Sequence, residues 1–278
     1  MNSAKPKRDQ DAPREILPIF RLRSARIPMT IRYTALLAPL LVFWQAYVTF
    51  VDQTLLPRPL EVAVAFWDGW ISGRLASATW TAIGVLAVAM LIGALLAAFL
   101  AVFAIRTRVG DDSLSLVAVA LDPIPAIAVL PLLLVFFDAG TDALILVAVC
   151  AVVLPIATNL RAGLLSVNPT LMLAGQNLGL RGWSMLSEVL LPAALPYAIY
   201  GLRTGWARGW RTVTAAGLVF GIAGNSPGFF TDDAGGFLPV PDLVAGLLTV
   251  AFAGILAEAI FGLLERSTVV RWGMKSGP

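Results

Sequence analysis

Six apolar runs divide this chain: Tyr33–Val51, Trp80–Ile105, Leu114–Phe137, Ala143–Leu160, Pro192–Ile222 and Leu243–Leu264. Each is close to or above the roughly 20 residues that an α-helix needs to cross a hydrocarbon core about 30 Å thick. Backbone inside lipid must satisfy its own hydrogen bonds, so such runs form helices rather than irregular chain. The fold class that follows is all-α, an integral membrane protein with six transmembrane helices. Composition agrees, with 58% of residues hydrophobic and 13% charged, about half the charged share of a soluble domain. The chain contains no histidine and one cysteine, Cys150, which reads as packing within the fourth run. Imidazole catalysis, Cys/His metal sites and a disulfide framework are thereby excluded. The formal charge of +3 gives no sign of a nucleic-acid partner.

Where the positive charges fall sets the orientation. Residues 1–32 are polar and basic, and no small-residue cleavage site follows the next run. They read as a cytoplasmic segment ahead of a signal anchor at 33–51. Six crossings then put loops 106–113 and 161–191 and the tail 265–278 in the cytoplasm. Segments 52–79, 138–142 and 223–242 lie outside. Only Arg58 and Arg74 fall outside, whereas Asp52, Asp68, Asp138, Asp142, Asp232, Asp233 and Asp242 do. That asymmetry follows the positive-inside rule, and shifting the count by one helix breaks it.

Two runs are not plain spans. The third holds Asp122, Pro123, Pro125 and Pro131, which predicts a broken helix sheltered by protein. The fifth holds Arg203, Arg208 and Arg211. Ionisable groups at membrane depth are expensive and point to function. Arg208 and Arg211, three apart, share a helix face. Two readings stand: a polar pathway or gate formed by Asp122, Arg208 and Arg211, or ion pairing that serves structure alone. Gly201, Gly205 and Gly209, at every fourth position, form a smooth stripe for close helix packing. Glu258 in the sixth run reads as a hydrogen-bonded packing residue. Pro57–Leu75, with Leu60, Val64, Trp67 and Ile71 at helical spacing, reads as an amphipathic surface helix. The Gly/Pro-rich segment 225–241 either meets a partner or caps the bundle.

The cytoplasmic segment 161–191 is unusual for a connection. Asn168-Pro169 is a helix start, with Asn at the cap and Pro at the first position. The helix should stop at Gly179, where a left-handed cap is permitted. A second short helix over Trp183–Leu190 sets Trp183, Leu186, Val189 and Leu190 at helical spacing. Two apolar half-helices in water require a partner surface, or else lie on lipid.

Gly179, nine residues, then Val189-Leu190-Leu191-Pro192 resembles the coupling loop of binding-protein-dependent ABC importer permeases. Their signature is Glu-Ala-Ala, three residues, Gly, nine residues, Ile-x-Leu-Pro. The resemblance continues through LLPRPLEV, PIPAIAVLPLLLVFF, LPAALPYAIYGLR and ERSTVVRWG. It covers nearly the whole chain after about residue 33 and is similar to the nitrate, sulfonate and taurine branch. It implies a type I importer permease fold with its core over residues 80–264, in the cytoplasmic (inner) membrane. It implies that Ala174, Gly175, Gly179, Arg181, Val189, Leu191 and Pro192 contact the ATPase. The implied partners are a second permease subunit (in a homodimer or heterodimer), two ABC ATPase subunits and an extracytoplasmic substrate-binding protein, besides membrane lipid. The chain has no G-x-x-x-x-G-K-[ST] phosphate loop, so ATP and Mg belong to the partner ATPase and this chain binds no cofactor. It is not itself an enzyme.

Three positions depart from the family pattern. Glu-Ala-Ala falls on Leu173-Ala174-Gly175, without the acid. The Arg that relatives place before Pro-x-Pro is Asp122, and a Glu of the fifth span aligns with Gly217. The simplest account of the last two is an ion pair kept with its polarity reversed, Asp122 with Arg211 or Arg208. The expected function is the permease subunit of an ATP-driven importer for a small polar, anionic solute. An ion-driven secondary transporter would show inverted repeats and paired broken helices. An integral-membrane enzyme would need clustered catalytic groups that this chain lacks.

Overall fold

A computed structural model describes residues 29–50, 56–137, 140–220, 228–231 and 236–270. The chain divides into two units, Met1–Gln53 and Thr54–Pro278. The first contributes α1, Met29–Phe50, which covers the first apolar run as far as Phe50. Val51, the last residue of the first expected run, lies outside the described residues, as do most of the basic segment 1–32 and the end of the tail 265–278.

The described residues of the second unit are helices joined by short turns, with an isolated antiparallel bridge between Thr231 and Phe237. Its helices are α2 (Pro59–Ile71), α3 (Arg74–Arg106), α4 (Arg108–Leu121), α5 (Leu130–Phe136), α6 (Thr141–Leu165), α7 (Pro169–Asn177), α8 (Trp183–Met185), α9 (Leu191–Phe220) and α10 (Val240–Glu265). Among the described residues α3, α6, the Trp183–Leu218 stretch and Val240–Thr268 are long and apolar enough to cross a membrane. A fifth crossing is counted if α4 and the following Ala126–Phe136 segment, bent by 91°, act as one.

The sequence explains that bend. Pro123 and Pro125 cannot continue α4, because proline lacks the N–H and its ring clashes with the preceding turn. The chain turns through Asp122–Pro125 and resumes as a 3₁₀ turn, Ala126–Val129, before α5. The third run is thus a broken helix, as its prolines require.

α6 is the most buried of the spans and the centre of the bundle, with α3 on one side and α9 on the other. Both contacts depend on small residues. Along α3 the buried positions are mainly alanines, among them Ala78, Ala82, Ala89, Ala97, Ala101 and Ala104. A Cβ added at Gly93 would come within 2.3 Å of Val152 Cγ2. On α9, a Cβ at Gly201 would meet Asn159 Cβ at 3.1 Å, and one at Gly205 Ile156 Cγ1 at 2.9 Å. One at Gly209 would meet Leu86 Cδ1 at 2.5 Å. Lipid supplies no hydrophobic drive between helices, so close backbone approach along such stripes is what holds the bundle together.

Ion pairs tie the helix ends. Arg74 at the start of α3 donates to Asp242 at the start of α10 across 2.8 Å. α3 therefore begins at Arg74, ahead of the apolar run that opens at Trp80, and its first turn takes up residues expected in a loop. At the opposite end Arg161 of α6 donates to Asp111 of α4 across 2.5 Å. Arg203 of α9 pairs with Glu258 of α10, its Nε 3.0 Å from Oε2. Glu258 is thus a paired acid joining the two helices. Phe229 and Phe230, from the Gly/Pro-rich segment, are buried in the core, with Phe229 edge-on to Trp210. Residues 225–227 and 232–235 of that segment lie outside the described residues.

α2 is the expected surface helix. Its bundle-facing side is Val62, Gly69 and Phe66, the last against Phe252 of α10. The stripe Leu60, Val64, Trp67 and Ile71 points away and is exposed.

Candidate functional site: a charged waist between two cavities

Arg208 on α9 and Asp122 at the break after α4 meet across 2.5 Å. Two cavities share this pair. The larger, of about 730 Å3, is walled by Leu121, Ile124, Ile127, Val129, Cys150 and Ala215 among others. The smaller, of about 380 Å3, is lined by Ala118, Thr158, Asn159, Tyr200 and Thr204. Asp122, Leu154, Pro155, Arg208 and Arg211 border both.

The chain order of these residues fixes how the cavities stack. On α6 the larger cavity takes Cys150 and Ala151, the smaller Thr158 and Asn159, closer to the helix end at Leu165. On α9 the smaller takes Tyr200 and Thr204, close to the helix start, and the larger Thr212 and Ala215. Ala118 and Ile124 repeat the order across the break in the third run. The cavities therefore lie one above the other along the bundle, with the smaller nearer the 166–190 loop. The Asp122–Arg208 pair sits at the waist.

Pro155 helps to form that waist. As a proline inside α6 it leaves one helical hydrogen bond unmade. Just beyond it, Asn159 Nδ2 and Thr158 Oγ1 bond back to the helix, donating to the carbonyls of Pro155, at 2.7 Å, and Leu154, at 2.8 Å. Arg211, one turn beyond Arg208, donates from Nε to the Ala207 carbonyl at 3.0 Å. Among the described residues no carboxylate lies within ion-pair distance of it. The charged groups lining both cavities are two bases against one acid, a net +1. Of the two partners expected for Asp122, the structure places Arg208 against it, and Arg211 stands apart.

The loop between α6 and α9 has the expected start and stop. The Asn168 side chain accepts from Thr170 N at 2.9 Å, capping α7. α7 ends at Asn177, and Gly179 takes φ +84°, a left-handed backbone that a side chain disfavours. Leu180 N donates to the Gly175 carbonyl at 3.0 Å, closing the cap. Gly175 is buried where the half-helices cross, and an added Cβ would meet Met185 and Val189 within 3.2 Å.

The second half-helix differs from the expectation. α8 runs through a wide π turn, Leu186–Leu190, directly into α9, so it is the first part of that long helix. Leu186 is buried among Leu160, Leu164, Ala101 and Ala194, with Leu190 packed alongside. The apolar face of Trp183–Leu190 is therefore spent on the bundle, leaving only Trp183 outside. The physical reason is length: a half-helix joined without a break to a span must follow that span onto α6. The outward apolar set of the loop is instead Leu171, Leu173, Leu178 and Trp183. Ala174, Arg181, Leu191 and Pro192 are exposed as well, while Val189 is half-buried. Leu173 and Leu178 were not singled out by sequence spacing. Their signal was a leucine with no apolar partner three or four residues away on the packed side.

Residues 89–270 match the family described as binding-protein-dependent transport system inner membrane component. That span includes the broken third helix, the loop and the arginines of α9. A taurine transport system permease protein of Escherichia coli is 36% identical over 144 residues, 52% of each chain, so the match spans about half of that relative. A riboflavin transport system permease protein of Chloroflexus aurantiacus is 32% identical over 84% of this chain and 87% of its own length. A putative aliphatic sulfonates transport permease protein of Bacillus subtilis is 29% identical over 84% of this chain and 85% of its own.

Proposed function

Since this chain belongs to the family of binding-protein-dependent transport system inner membrane components, we propose that it is the membrane subunit of an ATP-driven importer whose solute passes the Asp122–Arg208 waist. The chain is a transport permease that spans the membrane with apolar helices. In the assembled transporter it pairs with a second permease subunit, two ATPases and an extracytoplasmic binding protein. Its six crossings put the 166–190 loop and both ends of the chain in the cytoplasm, in the inner membrane. ATP and Mg stay with the ATPases.

The observation that carries this reading is where the loop attaches. Residues 166–190 connect the end of α6 directly to α9, and those helices supply Pro155, Arg208 and Arg211 to the waist. A push on α7 by a closing ATPase is therefore delivered to the helices that border both cavities. Helices packed to this density transmit displacement with little loss. α7 offers the ATPase the outward leucines 171, 173 and 178 with Trp183, an apolar set of the kind that seats in a groove. At the position where relatives carry Glu, Leu173 is exposed, so this contact is apolar.

The solute reading is a small organic anion of the taurine or sulfonate kind, supported by the names of two relatives and by the positive balance of charge at the waist. Purification of the full transporter from native membranes tests the function. Stable co-elution with an ATPase, and ATP-dependent uptake of taurine into proteoliposomes when the binding protein is supplied, are the expected results. An isolated chain that transports in an ion gradient without ATP would replace this reading with a secondary transporter.

A further inference from the structure

We propose that the Asp122–Arg208 pair is a charge-exchange gate: a solute anion held by Arg211 in the larger cavity displaces the Asp122 carboxylate from Arg208, and this opens the waist to the smaller cavity. The proposal rests on the importer reading above and names the event that reading leaves open.

Three observations lead to it. First, among the described residues the charged side chains lining either cavity are Asp122, Arg208 and Arg211, and the two cavities meet at those residues. An anion moving between cavities therefore passes two guanidinium groups and one carboxylate. Second, Arg208 is committed and Arg211 is not. Arg208 holds Asp122 at 2.5 Å, whereas among the described residues Arg211 donates to its own helix's Ala207 carbonyl and meets no carboxylate. A guanidinium with no carboxylate beside it among the described residues attracts an anion, and the neighbouring Leu121, Ile124, Ile127 and Val129 side chains offer it no competing acceptor. Third, the pair is open to the cavity, its side chains 43% and 58% exposed. An ion pair reached by solvent holds weakly and exchanges partners readily. A buried pair would resist displacement.

The geometry also gives the gate a hinge. Asp122 sits at the turn between α4 and the 3₁₀ segment, held by Pro123 and Pro125, and its backbone N–H closes α4 on Ala118. Arg208 lies on the continuous α9. Releasing the carboxylate frees a break point on one wall without disturbing the helix on the other. An anion on Arg211, one turn further from the loop than Arg208, approaches from the larger cavity, which is the direction of import. A cation finds Arg211 repulsive and leaves Asp122 in place, so the device also selects by charge.

Cys150, the single cysteine of the chain, lines the larger cavity and is exposed there, so it reports on that space without an engineered label. The test uses the full transporter in membrane vesicles of both orientations and two thiosulfonate reagents of similar size. One carries a sulfonate, the other a trimethylammonium group, and labelling of Cys150 is followed by mass spectrometry. From the side remote from the loop, the anionic reagent should label Cys150 roughly threefold or more faster than the cationic one, relative to their rates with free cysteine. Arg211→Gln should bring that ratio to about one, while Arg211→Lys keeps it. From the loop side, wild-type labelling should be slow, and Asp122→Asn should speed it severalfold, as should taurine added to the wild type from the remote side. A wild-type ratio near one, or favouring the cation, overturns charge selection while leaving the importer reading intact. Asp122→Asn with unchanged loop-side labelling overturns the gate. Absence of labelling by either reagent with and without ATP shows that the cavity is not on the pathway, and the proposed route falls with the proposal. The wild-type ratio needs no variant, so a misfolding mutant does not protect the idea.

Discussion

Arg208 and Asp122 are 86 residues apart in sequence and 2.5 Å apart in space, and their contact is the boundary shared by two stacked cavities. Arg211, one turn along the same helix face, makes no such contact. The difference is geometric. Asp122 caps α4 just before Pro123 and meets Arg208 there, while Arg211 Nε donates back to the Ala207 carbonyl.

The first prediction separates the two arginines. In a double-mutant cycle on thermal stability in detergent, Asp122→Ala and Arg208→Ala should couple by about 0.2–1 kcal/mol, the low range expected for an exposed pair. Asp122→Ala and Arg211→Ala should be additive within about 0.5 kcal/mol. Coupling of the Arg211 pair larger than that of the Arg208 pair would contradict the arrangement described.

The second concerns the turn of the loop. Gly179 at φ +84° has open space around it, so a substitution there suffers from backbone strain alone. Gly179→Val should cost about 1–2 kcal/mol locally and misplace α7. Co-purification with the ATPase, or solute-stimulated ATP hydrolysis, should fall while the bundle's melting temperature stays near wild type. Gly179→Asn, which tolerates the left-handed region, should retain most of the coupling. Equal loss in both variants would point to a cause other than φ.

The third addresses packing. Gly209→Ala drives a methyl against Leu86 Cδ1 at 2.5 Å and Val152 Cγ1 at 2.8 Å, overpacking that typically costs about 1–3 kcal/mol. Gly84→Ala, on α3 with nothing within 4 Å, should instead be neutral or stabilise by up to about 1 kcal/mol through helix propensity. Thermal shift of the two purified variants in detergent distinguishes them, and a Gly209→Ala protein as stable as Gly84→Ala would refute the close approach.

The fourth is topological. A cysteine placed at Gln176, exposed on α7, in a Cys150→Ala background should react with an impermeant reagent only from the cytoplasmic face. One at Arg58, before α2, should react only from outside. Reaction of both from the same face would reject the orientation drawn from the charges.

Much of the outline was legible in the sequence because it depends on local chemistry. Apolar length fixed where helices lie, Pro123 and Pro125 fixed the break in the third run, and Asn168-Pro169 with Gly179 fixed the ends of α7. The family signature around Gly179 and Pro192 located the loop. These signals work because each is a constraint on a few neighbouring residues, and a broken helix or a capped turn has only a few solutions.

What the sequence left open was decided by which faces meet. Leu186 and Leu190 carry the same spacing whether they face an ATPase or α6, and only continuity with α9 assigned them to the bundle. Leu60, Val64, Trp67 and Ile71 form a stripe by spacing, yet it is their neighbours Val62 and Phe66 that α10 covers. Asp122 had two arginines within reach by helical geometry, and the folded chain sets it against Arg208. Periodicity records that a face is apolar or charged, but the partner of that face comes from elements far along the chain, brought together by packing. That is why the broken helix, the capped loop and the candidate charges belong to the sequence, and the two cavities with their shared waist belong to the tertiary structure.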